Sequence, residues 1–407
     1  KTLLHSAKLY DHALDSAAYG VTAESVRVDH AAVIARKERV IKTLVGGVCA
    51  AMKASGVTTV NGRAVITGKD PAGYSVKANG DRYVGKNLII ATGSESVLPP
   101  IEGLRESLNS GFAVTNRELL FSCEAPKRLV VVGGGVIGLE MASYYQMTGT
   151  AVTVVEMMDH IAGPCDKDLV KLLQKNYERG GMRFELNACV KAIGNSRVLC
   201  QRGGETFDLE ADRVLVALGR RPNSQDLGLE SIGVLLENGA VRTDCHMRTN
   251  VPGIYAVGDI NGKSMLAHTA YREAEVAVHT ILGQKDTMSY RAIPSVLYTI
   301  PELSSVGLTE EEAKAQGLDV AVVRIPMAYS GRYVAENENG DGIFKLVIDK
   351  KLRTVVGAQV LANYSSEFIA VVGIFIELAV PIDLIKKQVF PHPTVAEIIR
   401  EAACQFA

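Results

Sequence analysis

The sequence predicts a multidomain α/β protein whose C-terminal third forms an α+β domain. Its 407 residues are too many for one hydrophobic core, and domains of roughly 100–200 residues each would number two to four. From 129 to 155 a strand, a glycine turn, a helix and a strand follow one another, as in a βαβ unit with parallel strands. After Tyr290, strands come first and helices follow, which is typical of an α+β domain.

Hydrophobic spacing and turn residues predict the elements in order. Apolar residues recur at helical spacing from His30 to Ala54, and Gly56 ends this helix. Short strands are predicted within 57–92, with turn signals at Asn61-Gly62, Asp70-Pro71 and Asn79-Gly80. The remaining predicted strands are 129–132, 151–155, 214–218, 254–257, 295–299, 320–325, 344–348 and 354–360, and the remaining helices are 136–147, 270–282, 365–378 and 394–403.

The composition argues against two kinds of partner. The chain has 44 basic and 45 acidic side chains, and this balance gives no electrostatic reason to expect nucleic acid or an anionic membrane. The longest apolar run, 368–380, contains Glu377 and is shorter than the ~18 residues that suggest a membrane span. We therefore expect a buried helix there, and neither a nucleic-acid nor a membrane partner.

The seven cysteines are scattered along the chain. No two of them form a Cys-x-x-Cys pair or a pair at metal-ligand spacing, so we expect no metal site. Unpaired cysteines favour reduced thiols in a cytosol-like compartment, the cytoplasm or, in a eukaryote, the mitochondrial matrix. The chain begins at Lys1 without a basic–apolar signal pattern, and we interpret it as starting inside a larger protein.

The strongest local signal is the glycine turn after the strand 129–132. Gly133 permits the tight turn, Gly135 lets the backbone approach a pyrophosphate, and Gly138 lets the helix pack closely on the strand. The free N–H groups and the dipole of the helix N-terminus would then face the phosphates.

The next strand ends at Glu156, which supports a dinucleotide site. A carboxylate there would accept hydrogen bonds from ribose hydroxyls and repel a 2′-phosphate, so NAD is favoured over NADP. The alternative is a glycine turn without a ligand, beside an ordinary surface glutamate.

Three further strand ends, 91–94, 218–223 and 254–259, are ordinary turns when each is taken alone. An aspartate at such an end, Asp259, can accept hydrogen bonds from sugar or polyol hydroxyls. In this order around the glycine turn they resemble the class I pyridine nucleotide-disulfide oxidoreductases, and the resemblance covers essentially the whole chain. Within that family the sequence is most similar to the dihydrolipoamide dehydrogenases. Leu3-Leu4-His5, 299–310 and 392–397 carry the same resemblance.

The resemblance implies two Rossmann-like dinucleotide-binding domains, one for FAD and one for NAD, and a C-terminal α+β dimerisation domain. It implies a homodimer, with the helix at 368–378 in the interface. The implied boundaries are 1–117 for the first part of the FAD domain, 118–247 for the NAD domain, 248–289 for the second part of the FAD domain and 290–407 for the dimerisation domain.

The resemblance also assigns residues to each cofactor. Asp259 would bond the ribityl chain of FAD, and the helix that starts after Met265 would direct its dipole toward the flavin ring. The residues implied to bind FAD are Lys1, Ala64, Thr92, Gly93, Ser94, Asp259, Met265, Leu266, Ala267 and His268. Those implied to bind NAD are Gly133, Gly134, Gly135, Val136, Ile137, Gly138, Leu139, Glu140, Glu156, Val190 and Gly219.

A candidate acid–base pair lies near the C-terminus. Pro393 restricts His392 to extended geometry and marks a helix start, so that Glu397 lies about one turn inside the helix and can bond one ring nitrogen. A lone histidine in such a place is more often structural or solvated. The resemblance makes His392 the base that deprotonates a dihydrolipoyl thiol in the other subunit's site, with Glu397 orienting its ring. Related dehydrogenases often carry a second histidine where this chain has Phe390.

The chemistry of the family needs a Cys-x4-Cys pair beside the flavin, and the 407 residues contain none. The first flavin-binding glycine motif of the family is absent as well. Lys1 resembles the flavin-contacting lysine that follows this cysteine pair. We therefore expect an N-terminal segment to be missing, either from the sequence or from the protein itself. The 407-residue polypeptide alone is expected to bind FAD weakly and to lack lipoamide activity.

The expected function is oxidation of protein-bound dihydrolipoamide, with electron transfer through FAD to NAD+. The expected partner is the lipoyl domain of a 2-oxo-acid dehydrogenase or glycine-cleavage complex. One alternative is another disulfide reductase, such as an NADPH-dependent glutathione-type enzyme, against which Glu156 argues. The other is a non-catalytic, truncated subunit of a 2-oxo-acid dehydrogenase complex.

Overall fold

The computed structural model describes residues 1–338 and 340–407, which form two compact units. The first unit comprises Lys1–Lys42, Leu98–Leu218 and Arg291–Ala407, and the second comprises Thr43–Val97 and Gly219–Tyr290. The four domain ranges expected from the sequence are not tested by this division and stay a prediction.

A parallel sheet of five strands in the first unit confirms the predicted βαβ unit. The strand Arg128–Val132 lies at its centre, and the helix Val136–Met147 connects it to the neighbouring strand Ala151–Val155. Residues 129–132 are all buried, as expected of a parallel strand covered on both faces. The spatial order of the strands is Ala113–Val114, Arg213–Val216, Arg128–Val132, Ala151–Val155 and Arg183–Glu185.

An antiparallel meander of three strands was not predicted from the sequence. Burial alternates along the first part of its central strand, where Val198 and Cys200 are buried and Leu199 between them is only partly buried. The strands of the meander are Cys189–Gly194, Arg197–Arg202 and Glu205–Glu210. The other helices of this part of the chain are Thr2–Leu14, Leu104–Asn109, Asn116–Leu119 and Lys167–Arg179, with a 3-10 turn at Ser16–Tyr19.

The C-terminal part of the first unit is an antiparallel sheet of five strands with helices packed on it, as predicted. The helix Ser365–Glu377 buries Phe368 and Val372 but exposes Ile374. No helix of the described residues is both long and apolar enough to cross a membrane. The strands, in spatial order, are Ser295–Leu297, Leu303–Gly307, Thr354–Leu361, Ile343–Asp349 and Val320–Pro326. The helices are Glu310–Ala315, Gly331–Glu336, Ser365–Glu377, Ile382–Ile385 and Ile398–Gln405, with 3-10 turns at Met327–Tyr329 and Val395–Glu397.

The second unit consists of small sheets, the helix Ala267–Ile281 and the C-terminal part of the helix His30–Ala54. The parallel strands Leu88–Ile90 and Ile254–Ala256 bring two strand ends together, and the N–H of Val257 donates to the carbonyl of Ile90 at 3.0 Å. The other strands are Ala64–Asp70, Gly73–Ala78 and Asp81–Gly85, and the pairs Ser94–Ser96 with Arg220–Pro222 and Leu236–Glu237 with Ala240–Val241. The 3-10 turns are Leu229–Ile232 and Gly258–Asn261.

The long helix His30–Ala54 forms with the predicted bounds, and Gly56 follows it with a left-handed φ of 69°. Its apolar positions are not all buried, because Ile34 is buried whereas Leu44 and Val48 are exposed. The helical spacing therefore predicted the element correctly but not the burial of its C-terminal half.

The predicted turn at Asn61-Gly62 does not separate two strands. The described residues 57–63 form no strand, and the first strand of this unit begins at Ala64. A polar, glycine-containing stretch is compatible with a loop as well as with a turn between paired strands.

A buried ion pair joins two elements of the first unit. The Lys345 ammonium lies 2.5 Å from the Asp166 carboxylate, and the two side chains are 1% and 0% exposed. Asp166 also caps the helix Lys167–Arg179, because its carboxylate accepts the backbone N–H of Asp168. Removing one partner of such a pair leaves the other charge buried and unpaired.

We expect Lys345→Met to lower the free energy of unfolding by about 3–5 kcal/mol, because the buried Asp166 carboxylate loses its cation. The control is Lys350→Met, which removes an exposed 2.7 Å pair with Asp319 and should change this free energy by about 0–1 kcal/mol. Urea denaturation followed by circular dichroism measures both. If both substitutions changed the free energy of unfolding by the same small amount, this result would contradict a desolvated Lys345–Asp166 pair.

Candidate active site

The glycine turn lies between the strand Arg128–Val132 and the helix Val136–Met147, as predicted. Gly133 has a φ of 106°, and a Cβ added to it would stand 2.4 Å from the backbone carbonyl oxygen of Ala217. A Cβ on Gly138 would stand 2.1 Å from the carbonyl oxygen of Gly133. Both positions therefore require glycine for local packing, and the first also for its conformation.

Gly135 differs from these two glycines. It precedes the first residue of the helix with an ordinary φ of -80°, and a Cβ on it would meet no atom of the described residues within 4 Å. The first N–H groups of a helix have no acceptor within the helix and attract anions. The turn is therefore open at the place where a pyrophosphate would approach the backbone.

Glu156 follows the strand Ala151–Val155 and reaches back to the glycine turn. Its carboxylate accepts the N–H of Gly134 at 2.7 Å and that of Met158 at 2.9 Å. These two amides fix the carboxylate beside the turn, as the predicted contact with a ribose requires.

The remaining residues predicted to bind NAD lie in several elements. Val136 and Ile137 begin the helix after the turn, and Val136 is exposed. Leu139 is fully buried in the hydrophobic core, and Val190 is half-buried in the meander. Gly219 belongs to the second unit and has a φ of 99°. Contacts of these residues with NAD stay a prediction.

In the second unit, Asp259 lies on the turn Gly258–Asn261. The hydroxyl of Ser94 donates a hydrogen bond to the Asp259 carboxylate, and Arg220 Nε donates to the same hydroxyl oxygen at 2.7 Å. The guanidinium also lies 3.9 Å from the carboxylate, whose side chain remains 25% exposed. Asp259 is therefore held in place and yet accessible to the hydroxyls of a ligand.

The other residues predicted to bind FAD in this unit are exposed or half-buried. Thr92 Oγ1 donates to the carbonyl of Asn223 at 2.9 Å, and the Asn223 carboxamide donates back to the carbonyl of Thr92 at 3.0 Å. Gly93, which follows, has a φ of 70°. Of the rest, Ala64, Met265, Ala267 and His268 are exposed and Leu266 is half-buried.

Lys1 lies in the first unit and pairs with the glycine-turn helix. Its ammonium stands 2.5 Å from the Glu140 carboxylate and 3.7 Å from the centre of the Tyr298 ring. The same carboxylate accepts the N–H of Tyr298 at 3.0 Å. Glu140 is thus engaged by the predicted flavin lysine, and its contact with NAD stays a prediction.

The hydrogen bond predicted between His392 and Glu397 is present. His392 Nδ1 lies 3.1 Å from Glu397 Oε2, and the side chains are 79% and 14% exposed. Glu397 ends the 3-10 turn Val395–Glu397, so it precedes the helix Ile398–Gln405 rather than lying one turn inside it. With one ring nitrogen bonded to a carboxylate, the other can exchange a proton with a substrate.

All seven cysteines are free thiols. Burial raises the pKa of the Cys165 thiol to about 11 and that of Cys200 to about 12, which disfavours the reactive thiolate. No two of these seven cysteines are joined by a disulfide bond. Among the described residues, no cluster of three or more histidine, cysteine, aspartate or glutamate side chains is arranged to hold a metal ion.

The sequence analysis missed Glu273, whose carboxylate is fully buried behind the turn that carries Asp259. Thr269, Val276 and Ala277 share the buried face of its helix. A carboxylate at a core position of an amphipathic helix is the signal that could have identified it, because charged side chains are rarely fully buried without partners.

Two family models match the chain. The model described as pyridine nucleotide-disulphide oxidoreductase matches residues 1–274. The model described as pyridine nucleotide-disulphide oxidoreductase, dimerisation domain, matches residues 293–403.

The chain is similar to curated proteins and to solved structures over nearly its whole length. The dihydrolipoyl dehydrogenase of Geobacillus stearothermophilus is 37% identical over 409 residues, which cover 99% of this chain and 86% of that protein. That of Bacillus subtilis is 36% identical over 410 residues, with the same coverage. The structure of LpdA from Mycobacterium tuberculosis has a TM-score of 0.89 and 25% identity, and covers 100% of this chain and 89% of its own. The HOCl-induced flavoprotein disulfide reductase RclA from Escherichia coli has a TM-score of 0.87 and 26% identity, with the same coverage.

Proposed function

Because this chain belongs to the pyridine nucleotide-disulphide oxidoreductase family, we propose that it oxidises protein-bound dihydrolipoamide and passes the electrons through FAD to NAD+. It is an oxidoreductase of the flavoprotein disulfide type, its cofactors are FAD and a pyridine nucleotide, and the match to a dimerisation domain supports a homodimer. The name shared by the relatives that are 36% and 37% identical supports dihydrolipoamide as the substrate.

The residues present fit the two cofactors. When bound, FAD accepts an electron pair from a reduced cysteine pair and gives it as a hydride to NAD+. The partly exposed Asp259 carboxylate can accept bonds from ribityl hydroxyls, and the helix that begins at Ala267 can stabilise negative charge on the reduced flavin. The open approach to Gly135 suits the pyrophosphate of the nicotinamide dinucleotide.

The single observation that carries the proposed thiol chemistry is the His392–Glu397 pair. The carboxylate bonded to Nδ1 orients the ring and stabilises its protonated form, while Nε2 takes the proton of a dihydrolipoyl thiol. Since the His392 side chain is 79% exposed, we infer that it serves the thiol site of the partner subunit in the homodimer.

The thiol step also needs a redox-active cysteine pair, which none of the seven cysteines provides. We therefore propose the lipoamide reaction for a natural protein that contains such a pair.

We propose NAD rather than NADP because the Glu156 carboxylate stands where a 2′-phosphate would need a cation. The substrate would be the lipoyl domain of a 2-oxo-acid dehydrogenase or glycine-cleavage complex. The compartment would be the cytoplasm or the mitochondrial matrix, and the free thiols support a reducing one.

Glu156→Gln is expected to weaken NADH binding about tenfold and to narrow the preference for NADH over NADPH. The ribose hydroxyls lose a charged acceptor, and the 2′-phosphate loses a repulsive neighbour. Isothermal titration with both nucleotides measures this, and Glu178→Gln, at an exposed helical position, is the control. Equally tight binding of NADPH and NADH to the unsubstituted protein would contradict the choice of NAD.

The function is tested by steady-state assays of the flavin-loaded natural protein. We expect it to reduce NAD+ with dihydrolipoamide much faster than it reduces glutathione disulfide with NADPH. The opposite preference would identify a glutathione-type reductase. Nucleotide binding without turnover of any dithiol would identify a non-catalytic subunit.

A further inference from the structure

A buried carboxylate lies directly behind the turn that carries Asp259. The side chain belongs to Glu273, which is 0% exposed. Its Oε2 accepts the N–H of Gly258 at 2.6 Å and the carboxamide Nδ2 of Asn261 at 2.9 Å. Its Oε1 accepts the hydroxyl of Tyr290 at 2.6 Å. One side chain therefore satisfies donors from three residues.

Two of these hydrogen bonds bracket Asp259 in the chain. Gly258 precedes it and Asn261 ends the same turn, so Glu273 Oε2 holds both ends of the segment on which Asp259 lies. Gly258 has a φ of 75°, a conformation that side-chain-bearing residues rarely adopt. The shape of the turn thus depends on the acceptor behind it.

The donors around Glu273 are an amide, a carboxamide and a phenol. A buried carboxylate is strongly unfavourable unless such donors satisfy it. Burial raises the pKa of Tyr290, and the neighbouring Glu273 carboxylate raises it further, so the phenol stays a donor. Without Glu273, the donors of Gly258 and Asn261 would lose a buried acceptor, and the turn would lose its anchor.

A ligand can reach the turn at the partly exposed Asp259 side chain. The Asp259 carboxylate accepts the hydroxyl of Ser94 and remains partly exposed. Glu273 fixes the backbone of the turn through its hydrogen bonds, and the hydroxyl of Ser94 fixes the Asp259 side chain.

We propose that Glu273 is a positioning residue of the flavin site and acts through Asp259. Its carboxylate holds the turn Gly258–Asn261 so that the Asp259 carboxylate stays aligned with the ribityl hydroxyls of FAD. The inference rests on the proposed function, in which Asp259 binds FAD.

Two substitutions separate hydrogen bonding from side-chain volume. In Glu273→Gln the carboxamide oxygen can still accept from Gly258 and Asn261, while its NH2 group donates to the oxygen of Tyr290. In Glu273→Leu these acceptors are gone. We expect the FAD dissociation constant, measured by flavin fluorescence, to rise about tenfold for leucine and less than about threefold for glutamine.

A double-mutant cycle with Asp259→Ala tests whether Glu273 acts through Asp259. We expect Glu273→Leu to have little further effect on the FAD dissociation constant in the Asp259→Ala background. Fully additive effects would overturn the positioning role. An unchanged FAD affinity in the single variant Asp259→Ala would instead overturn the flavin role of Asp259, on which the inference rests.

Thermal melting of the apoprotein distinguishes positioning from general stability. If Glu273→Leu lowers the melting temperature but leaves the FAD dissociation constant unchanged, the role is purely structural and the proposal falls. Should the leucine variant be insoluble, Glu273→Asp replaces it. Its shorter side chain cannot reach the turn and Tyr290 together, and we expect FAD to bind about threefold more weakly or worse.

Discussion

Replacing His392 with glutamine is expected to slow the oxidation of dihydrolipoamide by the natural protein by about 100- to 10,000-fold. Glutamine keeps the polarity of the position but cannot take up the thiol proton, so the thiolate nucleophile forms slowly. The reduction of ferricyanide by NADH requires no proton transfer from a thiol and should keep its rate. Steady-state measurements of both reactions on one preparation reveal the difference.

Two further variants test whether the slower oxidation of dihydrolipoamide in His392→Gln results from the loss of the base. Glu397→Gln should cause a smaller loss of about tenfold, because the carboxamide oxygen can still accept from Nδ1 but no longer stabilises the imidazolium. His279→Gln removes a ring that pairs with Asp286 at 2.7 Å in the second unit, and should leave both rates unchanged. An undiminished dihydrolipoamide rate in His392→Gln would exclude this residue as the base. Loss of both rates would indicate damage to cofactor binding instead.

Gly135→Ala and Gly138→Ala are expected to separate nucleotide binding from folding at one turn. The Cβ of Gly138→Ala would stand 2.1 Å from the carbonyl oxygen of Gly133 and 3.1 Å from a methyl group of Val131, so helix and strand must move apart. We expect this variant to lose about 1–3 kcal/mol of unfolding free energy or more. The Cβ of Gly135→Ala meets no atom of the described residues within 4 Å, and stability should not change.

The affinity for NADH should nevertheless fall about 10- to 100-fold in Gly135→Ala, because the methyl group occupies the approach of the pyrophosphate. Thermal melting and NADH titration measure the two effects separately. Gly331→Ala is the control, since it also meets no described atom and lies in the C-terminal part of the first unit. Unchanged NADH affinity in Gly135→Ala would place the nucleotide away from this turn.

The glycine turn was predictable because its determinants are local. The helix Val136–Met147 and the strand Ala151–Val155 have the predicted bounds, since glycines and continuous apolar runs mark both ends of these elements. The bond between His392 and Glu397 was predictable for the same reason, because five residues and one proline define its geometry.

Interactions between distant parts of the chain could not be predicted in this way. Lys345 and Asp166 are 179 positions apart, and no sequence pattern around either residue indicates that the two form an ion pair. Ser94 meets Asp259 only because two strand ends come together in the fold. The resemblance to the family assigned Ser94 and Asp259 to the flavin, but it did not indicate that Glu273 supports their turn.

The arrangement at the C-terminus links the imidazole to the integrity of the last helix. Glu397 Oε2 accepts the N–H of Thr394 as well as bonding His392, and Thr394 and Glu397 form the capping box of the 3-10 turn Val395–Glu397, which directly precedes this helix. Fraying of one terminal turn requires much less free energy than global unfolding. We therefore expect thermal inactivation to begin at temperatures where the neighbouring antiparallel sheet is still intact. Fraying of this turn would free the His392 ring, which takes the thiol proton, before the sheet unfolds.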